Sequence, residues 1–419
     1  MASRIVVQRS LLTLLLVLLL STIAHGQTLR FLAVGFPADL ITYFTEELAP
    51  EFEARHGVKV NIEPVSSWNA RADRILLSIA AGVPYDIVST GAYSAYEEGS
   101  GGMLAPLNRY LEGWEHTSSI PAPIWDALSW RGNVYVMPHN TAPRAVAYNK
   151  SSFAESGLDA ERPPASWDEL IETVRTLTRV TSDQVTQRGW HIRRNAAQDL
   201  MWFTEQAGVS LLDLERLVSN LSSPQAHEAL YALRDLMDAA AISIPAGGNN
   251  FAQGNLVMEW HNPPLMVAAL EQNPELAGEY GLFAPRRSPE HDPVAFTFVD
   301  GLGILAESAN KDLAWEFISF LNEDEVLLNT FRRGGYLPGR TDMVDDIVGI
   351  HATMSLFYDV FPYAKMPVLP LPRDVSQGEL ATLVSQVYAH EISPEEALIR
   401  AGEVWDRLLA EWRAELGEM

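Results

Sequence analysis

The segment LRFLAVGFPADLITYFTEELAPEFEARHGVKVNIEP, residues 29–64, decides the fold class of this chain. Its first six residues form an apolar run that predicts a buried strand, and residues 35–37 (GFP) predict a turn. A helix is then predicted from Asp39 to Gly57, because apolar residues recur at every fourth position: Leu40, Phe44, Leu48 and Phe52. Residues 58–64 alternate between apolar and polar side chains in the manner of a second strand.

The residues that follow repeat this order of elements. A helix is predicted over 70–81, closed by Gly82, and a short apolar strand is predicted over 85–89. Three strands separated by two helices within so short a stretch predict a parallel sheet with helices on its faces, which is the α/β class.

Strand and helix patterns continue to alternate through the rest of the chain. A helix over 167–178 is predicted to start at the capping residue Ser166, and another over 225–240 follows Ser223-Pro224. The remaining predictions are strands over 134–137, 145–148, 256–260, 280–284, 296–299 and 304–306, a helix over 311–321, loops over 138–144 and 332–340, and helical structure over 380–419.

The first 26 residues have the organisation of an export signal. Arg4 and Arg9 supply a positively charged start, and residues 11–20 (LLTLLLVLLL) supply an apolar block. Ala24 and Gly26 are the small residues expected at a cleavage site. The block is shorter than the about 20 apolar residues that a bilayer span requires. We therefore expect a cleaved signal peptide, residues 1–26, and a mature chain in the periplasm.

The composition limits the partners and the chemistry of this chain. Its 419 residues carry a formal net charge of −24, which repels nucleic acid and anionic membranes and suits a soluble monomer that handles neutral or cationic ligands. No cysteine is present, so disulfides, thiol catalysis, cysteine-held metals and a thiol-linked lipid are excluded. Stability must therefore come from the core, and a hydrophobic content of 47% is sufficient for a full one.

Eight phrases follow one another along the chain: PYDIVSTG at 84–91, GGMLAPLNRYL at 101–111, VYVMPHNTAPRAVAYNKSSFAESGLD at 134–159, PPASWDEL at 163–170, FAQGNLVMEW at 251–260, GLGILAESANKDLAWEFISFL at 301–321, RRGGYLPGR at 332–340 and ISPEEAL at 392–398. In their order, these phrases resemble the extracellular solute-binding proteins of ABC importers, specifically the maltose-binding-like family 1. The resemblance covers almost the whole chain after the export signal, and it rests on the order because no single phrase is diagnostic. The missing lipid-attachment cysteine departs from the lipid-anchored members and favours a periplasmic form.

The resemblance implies the periplasmic-binding-protein type II fold, in which two discontinuous α/β lobes are joined by a hinge and enclose an interlobe cleft. Three crossings between the lobes are expected, near residues 139–144, 283–285 and 334–340. The lobes would then comprise 27–139 plus 285–334 at the N-terminal side and 140–284 plus 335–419 at the C-terminal side. Such a protein closes around a solute, delivers it to ABC transporter permease subunits and performs no chemistry.

The expected binding residues follow from the ends of the predicted strands, since ligands of open parallel sheets bind beyond the carboxyl ends of strands. Trp68, Trp202 and Trp260 lie near predicted loops and are candidates for stacking on sugar faces, with packing in the core as the alternative for each. The full set of predicted ligand contacts is Phe36, Asp39, Trp68, Asn69, Thr90, Tyr93, Asn140, Arg144, Asp199, Trp202, Trp260, Asn262, Asp300, Gly301, Tyr336 and Arg373.

A carbohydrate is the expected solute, and two other classes of solute stay open. Arg144 and Arg373 could bind a phosphate through paired hydrogen bonds, which would suit a sugar phosphate or a glycerophosphodiester. Ion pairs at the hinge and surface solvation are the alternative role for these two arginines. The acidic chain also leaves a polyamine open as the solute.

No catalytic or metal motif is recognisable. Residues 301–306 match G-x-G-x-x-A, but the following residues stay apolar and strand-like where a dinucleotide site requires a helix. HExxH, GxSxG, Walker A and EF-hand sequences are absent, and the ten histidines contain no pair four residues apart. We expect no cofactor and no metal, and a secreted glycoside hydrolase stays as the enzyme alternative.

Overall fold

A computed structural model of the chain describes residues 28–191, 196–244, 250–366, 368–370 and 373–417. The predicted signal peptide lies outside these residues. Within them, no helix has both the length and the apolar character needed to cross a bilayer. Helices and strands alternate along the described chain, and one large sheet dominates it, as the α/β prediction requires.

Fifteen strands are present in the described residues: β1 (Thr28–Val34), β2 (Lys59–Val65), β3 (Ile87–Gly91), β4 (Ser129–Trp130), β5 (Asn133–Val134), β6 (Met137–Asn149), β7 (Arg179–Thr181), β8 (Gln184–Gln187), β9 (Leu212–Asp213), β10 (Val218–Ser219), β11 (Met258–His261), β12 (Tyr280–Phe283), β13 (Ala295–Ile304), β14 (Leu337–Pro338) and β15 (Ala364–Lys365). The α-helices of the same residues are α1 (Ala38–Tyr43), α2 (Ala49–His56), α3 (Trp68–Ala80), α4 (Ala92–Ser100), α5 (Asn108–Leu111), α6 (Ala122–Ala127), α7 (Lys150–Glu155), α8 (Trp167–Leu177), α9 (Ala196–Gln206), α10 (Pro224–Ala239), α11 (Pro263–Gln272), α12 (Lys311–Leu321), α13 (Asp324–Gly334), α14 (Val344–Ile350), α15 (Ser355–Val360), α16 (Arg373–Tyr388) and α17 (Pro394–Glu415).

The main sheet has nine strands, and its continuous path has the order β11-β6-β13-β3-β1-β2. β1 pairs in parallel with both β2 and β3, with Phe31 opposite Ile62 on one side and opposite Ile87 on the other. The predicted start of two β-α units and a third strand is thereby confirmed. β13 runs antiparallel to β3 and to β6, while β12 and β14 add to β6 and β15 adds to β13.

Two large hydrophobic cores are packed along this sheet. The first core draws its residues from 29–137 and 299–326, with Phe31 and Phe317 among its fully buried rings. The second core draws its residues from 146–296 and 369–412, together with Tyr96. Two separate cores are the expected consequence of two lobes, although the exact lobe boundaries stay a prediction.

β6 and β13 carry the chain between the two cores. β6 has Met137 in the first core and Val146 in the second, and β13 has Phe296 in the second core and Val299 in the first. The second passage therefore lies further along the chain than the crossing predicted at 283–285, because Phe283 still packs in the second core.

The loop predicted over 138–144 is wrong, since β6 runs through it without interruption. Pro138 and Pro143 indicated a loop because proline cannot donate a hydrogen bond to a sheet. The register of the pairing with β13 shifts between Asp300, which pairs with Asn140, and Gly301, which pairs with Pro138. His139 is left unpaired by this β-bulge, and the strand continues through the two prolines. β13 is likewise one continuous strand where two were predicted.

Side-chain caps begin helices where the sequence predicts them. At the start of α8, the Ser166 hydroxyl accepts a hydrogen bond from the Glu169 backbone N–H at 3.1 Å, and Ser223 caps α10 in the same way. The helix predicted over 39–57 contains a π-helical turn, Phe44–Leu48, because Pro50 has no N–H to donate. The loop predicted over 332–340 is wrong in its first residues, which belong to α13.

Candidate functional site

A cavity of about 450 Å³ lies between the elements that carry the two cores, and we call it the cleft. Its volume is within the range of about 300–1,000 Å³ that small-molecule sites occupy. The first-core side contributes α3 and α4, and the second-core side contributes α9 and α16. Asn262 lines the cavity from the start of α11, and the crossing strands form the floor. The cleft is lined by Gly35, Trp68, Gly91, Ser94, Ala142, Arg144, Gln198, Asn262, Phe298, Asp300, Tyr336 and Gln377.

The floor of the cleft is built by alternation on two paired strands. Ala142 pairs with Phe298 across β6 and β13, and Arg144 and Asp300 are the next residues on the same faces. The Arg144 guanidinium carbon lies 4.0 Å from the centre of the Phe298 ring, which fixes the arginine across the strand pair. The floor therefore presents an aromatic ring, a cation and a carboxyl group next to one another.

Asp300 has a strongly perturbed acidity. Burial raises the pKa of its carboxyl to about 6, and the positive charge of Arg144 only partly opposes this effect. Burial also raises the pKa of the Tyr336 phenol, with the charge of Asp300 acting in the same direction. Among the described lining residues, Arg144 and Asp300 are the two side chains that can carry charge near neutral pH.

Trp68 forms the aromatic wall on the first-core side. It is the first residue of α3, whose N-terminus is capped by the Ser67 hydroxyl, and 37% of its surface is exposed. Gly35 faces the indole at close range, because a Cβ added at Gly35 would lie 3.7 Å from the Trp68 ring. An exposed tryptophan at the mouth of a cavity offers a flat apolar face to a ligand.

A buried ion pair supports this wall from below. Arg71 donates to both carboxylate oxygens of Glu98, at 2.6 Å and 3.0 Å, and the Thr90 hydroxyl donates to the same carboxylate at 2.8 Å. The pair is nearly inaccessible to solvent, with side-chain exposures of 4% and 8%. Paired, doubly hydrogen-bonded charges hold α3, β3 and α4 in one geometry.

The second-core side presents amide groups. Gln198 lies in the first turn of α9, and Gln377 lies in the first half of α16. Asn262 caps α11 by accepting a hydrogen bond from the Leu265 N–H at 3.0 Å, so its side-chain oxygen is already used. Amides both donate and accept hydrogen bonds, which suits ligands rich in hydroxyl groups.

The structure brings five of the predicted contacts together in the cleft. Trp68 and Asn262 follow β2 and β11, and Arg144 and Asp300 lie on the crossing strands. The fifth is Tyr336, which lies between α13 and β14. Tyr336 also joins two segments of the cleft wall, because its hydroxyl donates a hydrogen bond to the Gly35 carbonyl at 3.4 Å.

Eight predicted contacts do not line the cleft. Trp202 and Trp260 are fully buried in the second core with ring centres 4.2 Å apart, because both lie inside regular elements, α9 and β11. Asp199 is buried on α9 beside them, whereas Asp39 is exposed on α1 away from the cavity. Three others are engaged in packing or hydrogen bonding: Phe36 against Phe44 and His139, Thr90 with Glu98, and Gly301 against the Met137 carbonyl. The last, Asn140, is buried on β6, and its Oδ1 has no hydrogen-bond partner among the described residues.

Three predicted contacts have side chains outside the described part of the structure. Asn69, Tyr93 and Arg373 have backbone positions in α3, α4 and α16, so their proposed contacts stay predictions.

Besides Gly35 and Gly91, which have no side chain, five lining residues were not predicted: Ser94, Ala142, Gln198, Phe298 and Gln377. Two of these could have been predicted from the sequence. Ala142 lies two residues before Arg144, and Phe298 lies two residues before Asp300, so strand alternation places each pair on one face. The other three lie on helices, where a search restricted to strand ends does not look.

Known proteins match this chain over most of its length. The family described as bacterial extracellular solute-binding protein matches residues 38–327. A binding protein of Brucella abortus (strain 2308) is 24% identical over 406 residues, which cover 94% of this chain and 96% of the relative. The sn-glycerol-3-phosphate-binding periplasmic protein UgpB of Brucella melitensis is 23% identical over 322 residues, or 70% of this chain and 71% of its own length.

Solved structures share the fold. The sugar-binding protein MalE from Xanthomonas citri superposes with a TM-score of 0.80 at 20% identity, covering 94% of this chain and 100% of its own. A solute-binding protein from Thermotoga lettingae, bound with α-D-tagatose, gives a TM-score of 0.76 at 23% identity, with coverages of 92% and 100%. The predicted type II periplasmic-binding-protein fold is confirmed by these likenesses.

Proposed function

Since this chain belongs to the bacterial extracellular solute-binding proteins, a family of binding proteins, we propose that it binds a carbohydrate in the cleft and delivers it unchanged to the permease of an ABC transporter. The observation that carries the proposal is the composition of the cleft. Trp68 offers an aromatic face for the C–H surface of a sugar, and the amides of Gln198, Asn262 and Gln377 offer hydrogen bonds for its hydroxyl groups.

The placement of these groups supports a clamp. Trp68 belongs to the first-core side, and Gln198 and Gln377 belong to the second-core side, so one solute could contact both. A ligand favours a closed arrangement only through the contacts it gains there, and about 5.5 kcal/mol of differential binding moves a 1:99 equilibrium to 99:1. A few hydrogen bonds and one stacked ring are sufficient for that amount. The crossing strands β6 and β13 would act as the hinge.

Export supports the same function. The signal-peptide pattern of residues 1–26, the absence of cysteine and the acidic charge together suit a periplasmic protein that is free to diffuse between solute and permease. We propose this location, with the predicted two lobes as the moving parts.

A sugar phosphate is the second candidate, and two observations favour it. One relative is named as an sn-glycerol-3-phosphate-binding protein, and Arg144 places a guanidinium in the cleft. Asp300 stands against this candidate, because its carboxylate carries the same sign of charge as the phosphate close to the only described cation of the cleft.

The test is a thermal-shift screen of the mature chain followed by calorimetric titration of each hit. The panel contains neutral mono-, di- and oligosaccharides, glycerol 3-phosphate, glycerophosphodiesters and polyamines, together with a chromogenic glycoside to detect hydrolysis. We expect a neutral sugar to raise the melting temperature as its concentration increases, with no turnover. A shift produced by phosphates or polyamines and by none of the sugars would contradict the carbohydrate assignment.

Trp68→Ala locates the binding event. Losing the stacked indole should raise the sugar Kd about five- to thirty-fold, or about 1–2 kcal/mol, without lowering the melting temperature of the free chain. Leu77→Ala is the matched control, because Leu77 is 65% exposed on the same helix and does not line the cleft. Equal effects of the two substitutions would show that the sugar is held elsewhere.

A further inference from the structure

A second and larger cavity, of about 850 Å³, lies on the opposite face of the crossing strand β13, and we call it the rear cavity. Successive side chains of a strand point to opposite faces, and Thr297 lines the rear cavity while Phe298 lines the cleft. The two cavities are therefore separate sites, divided by the sheet.

The walls of the rear cavity are mostly apolar and come from both sides of the molecule. Ile124 belongs to the first core, whereas Leu214 and Val368 pack against the second. Phe361 and Met366, which lie before and after β15, extend the apolar surface. An apolar cavity of this size with a few polar groups is the usual form of a small-molecule site.

Two hydroxyl groups in this wall have no hydrogen-bond partner among the described residues. Thr297 has 5% of its surface exposed, and its Oγ1 is buried. The phenol of Tyr358 is enclosed in the same way, and burial raises its pKa above the ordinary value. A buried hydroxyl without a partner costs about 1–3 kcal/mol, so each marks a place where a polar atom of a ligand would be stabilising.

The buried carboxylate of the rear cavity, in contrast, is already paired. The Glu205 carboxylate, 8% exposed, accepts a hydrogen bond from Lys365 Nζ at 3.0 Å and another from the Ser210 hydroxyl. Asp126 is the other acidic residue of the wall and is exposed to solvent. A charged ligand would have to compete with the existing ion pair, which favours an uncharged one.

We propose that the rear cavity is a second ligand site, which takes an uncharged and largely apolar molecule carrying a hydroxyl group. The apolar body fills the space between the two sides, and the hydroxyl group bonds to Thr297 and Tyr358. The proposal does not depend on the identity of the solute in the cleft.

The test uses 2-naphthol, followed by its own fluorescence, with naphthalene as the matched probe that lacks the hydroxyl group. We expect one molecule of 2-naphthol per chain. Thr297→Val and Tyr358→Phe preserve side-chain shape, and each should raise the Kd of 2-naphthol about three- to tenfold while leaving that of naphthalene unchanged. An equal effect on both probes would overturn the assigned role of the hydroxyls.

Two further variants locate the probe. Ala364→Phe fills the rear cavity from β15 and should abolish binding of both probes, whereas Trp68→Ala in the cleft should leave both unaffected. Circular dichroism melting of each variant confirms that it is folded before titration. The proposal is overturned if the unsubstituted chain does not bind 2-naphthol, or if Trp68→Ala rather than Ala364→Phe removes the binding.

Discussion

Replacing Asp300 by asparagine should stabilise the protein and weaken its solute binding in the same variant. Burial raises the pKa of this carboxyl from 3.8 to about 6, against the opposing charge of Arg144. The difference corresponds to about 3 kcal/mol. The folded chain holds this proton more tightly than the unfolded chain, so burial of the ionised carboxylate destabilises the fold. This destabilisation is absent below the unfolded pKa of 3.8, grows as the pH rises, and is complete above the folded pKa of about 6.

Asparagine keeps the shape of the side chain and removes the charge, although its own burial retains part of the penalty. We expect a gain in unfolding free energy of about 1–3 kcal/mol at about pH 7.5, seen as a rise in melting temperature of about 1–4 °C. The gain should disappear near pH 4. Asp73→Asn, an exposed change on α3, is the control and should alter neither value. A variant of Asp300 that is less stable at about pH 7.5, or equally stabilised at both pH values, would refute the assigned cost of burial.

Three other predictions concern the same account. If solute hydroxyls donate to ionised Asp300, calorimetry should show the Kd rising up to about tenfold per pH unit below about pH 6, and Asp300→Asn should remove that dependence. Trp202→Phe should lower the unfolding free energy by about 1–3 kcal/mol in urea denaturation, because Trp202 is fully buried, and should leave the solute Kd within about twofold. A large rise in Kd would instead show that Trp202 stacks on the solute. Gly301→Ala should lower the unfolding free energy by about 1–3 kcal/mol, since its Cβ would lie 2.2 Å from the Met137 carbonyl oxygen. Gly402→Ala in α17 is the control and should be neutral or stabilising, because its Cβ would have no atom within 4 Å. Equal melting temperatures for the two variants would contradict this prediction.

The fold class was predictable because the deciding segment has consistent local patterns. The strands and helices before Gly91 have clear apolar periodicity and closing glycines, and their pairing follows from the handed connection of β-α units. The first half of β6 was not predictable, because its two prolines and polar residues oppose a strand locally, whereas the strand predicted over 145–148 lies in its second half. Burial along almost its whole length and a register shift against β13 override that preference.

The site was predictable where it follows strand ends. Trp68 and Asn262 follow β2 and β11 and reach the cleft for that reason, whereas Asp300 reaches it from within β13. Trp202 failed the same reasoning because α9 begins only six residues before it and places it in the middle of a buried helix. Gln198, on the same helix, reaches the cleft instead, since the first turn of α9 faces the cavity. A sequence pattern shows that a helix is apolar without showing which end meets a neighbouring lobe.

The crystal structure of the mature chain with the solute selected by the screen is the most direct measurement of the central claim. An intact sugar touching Trp68 on one side and Gln198 or Asn262 on the other would agree with a clamp between two halves. Density for the sugar against a single half, or for a cleaved product, would contradict it.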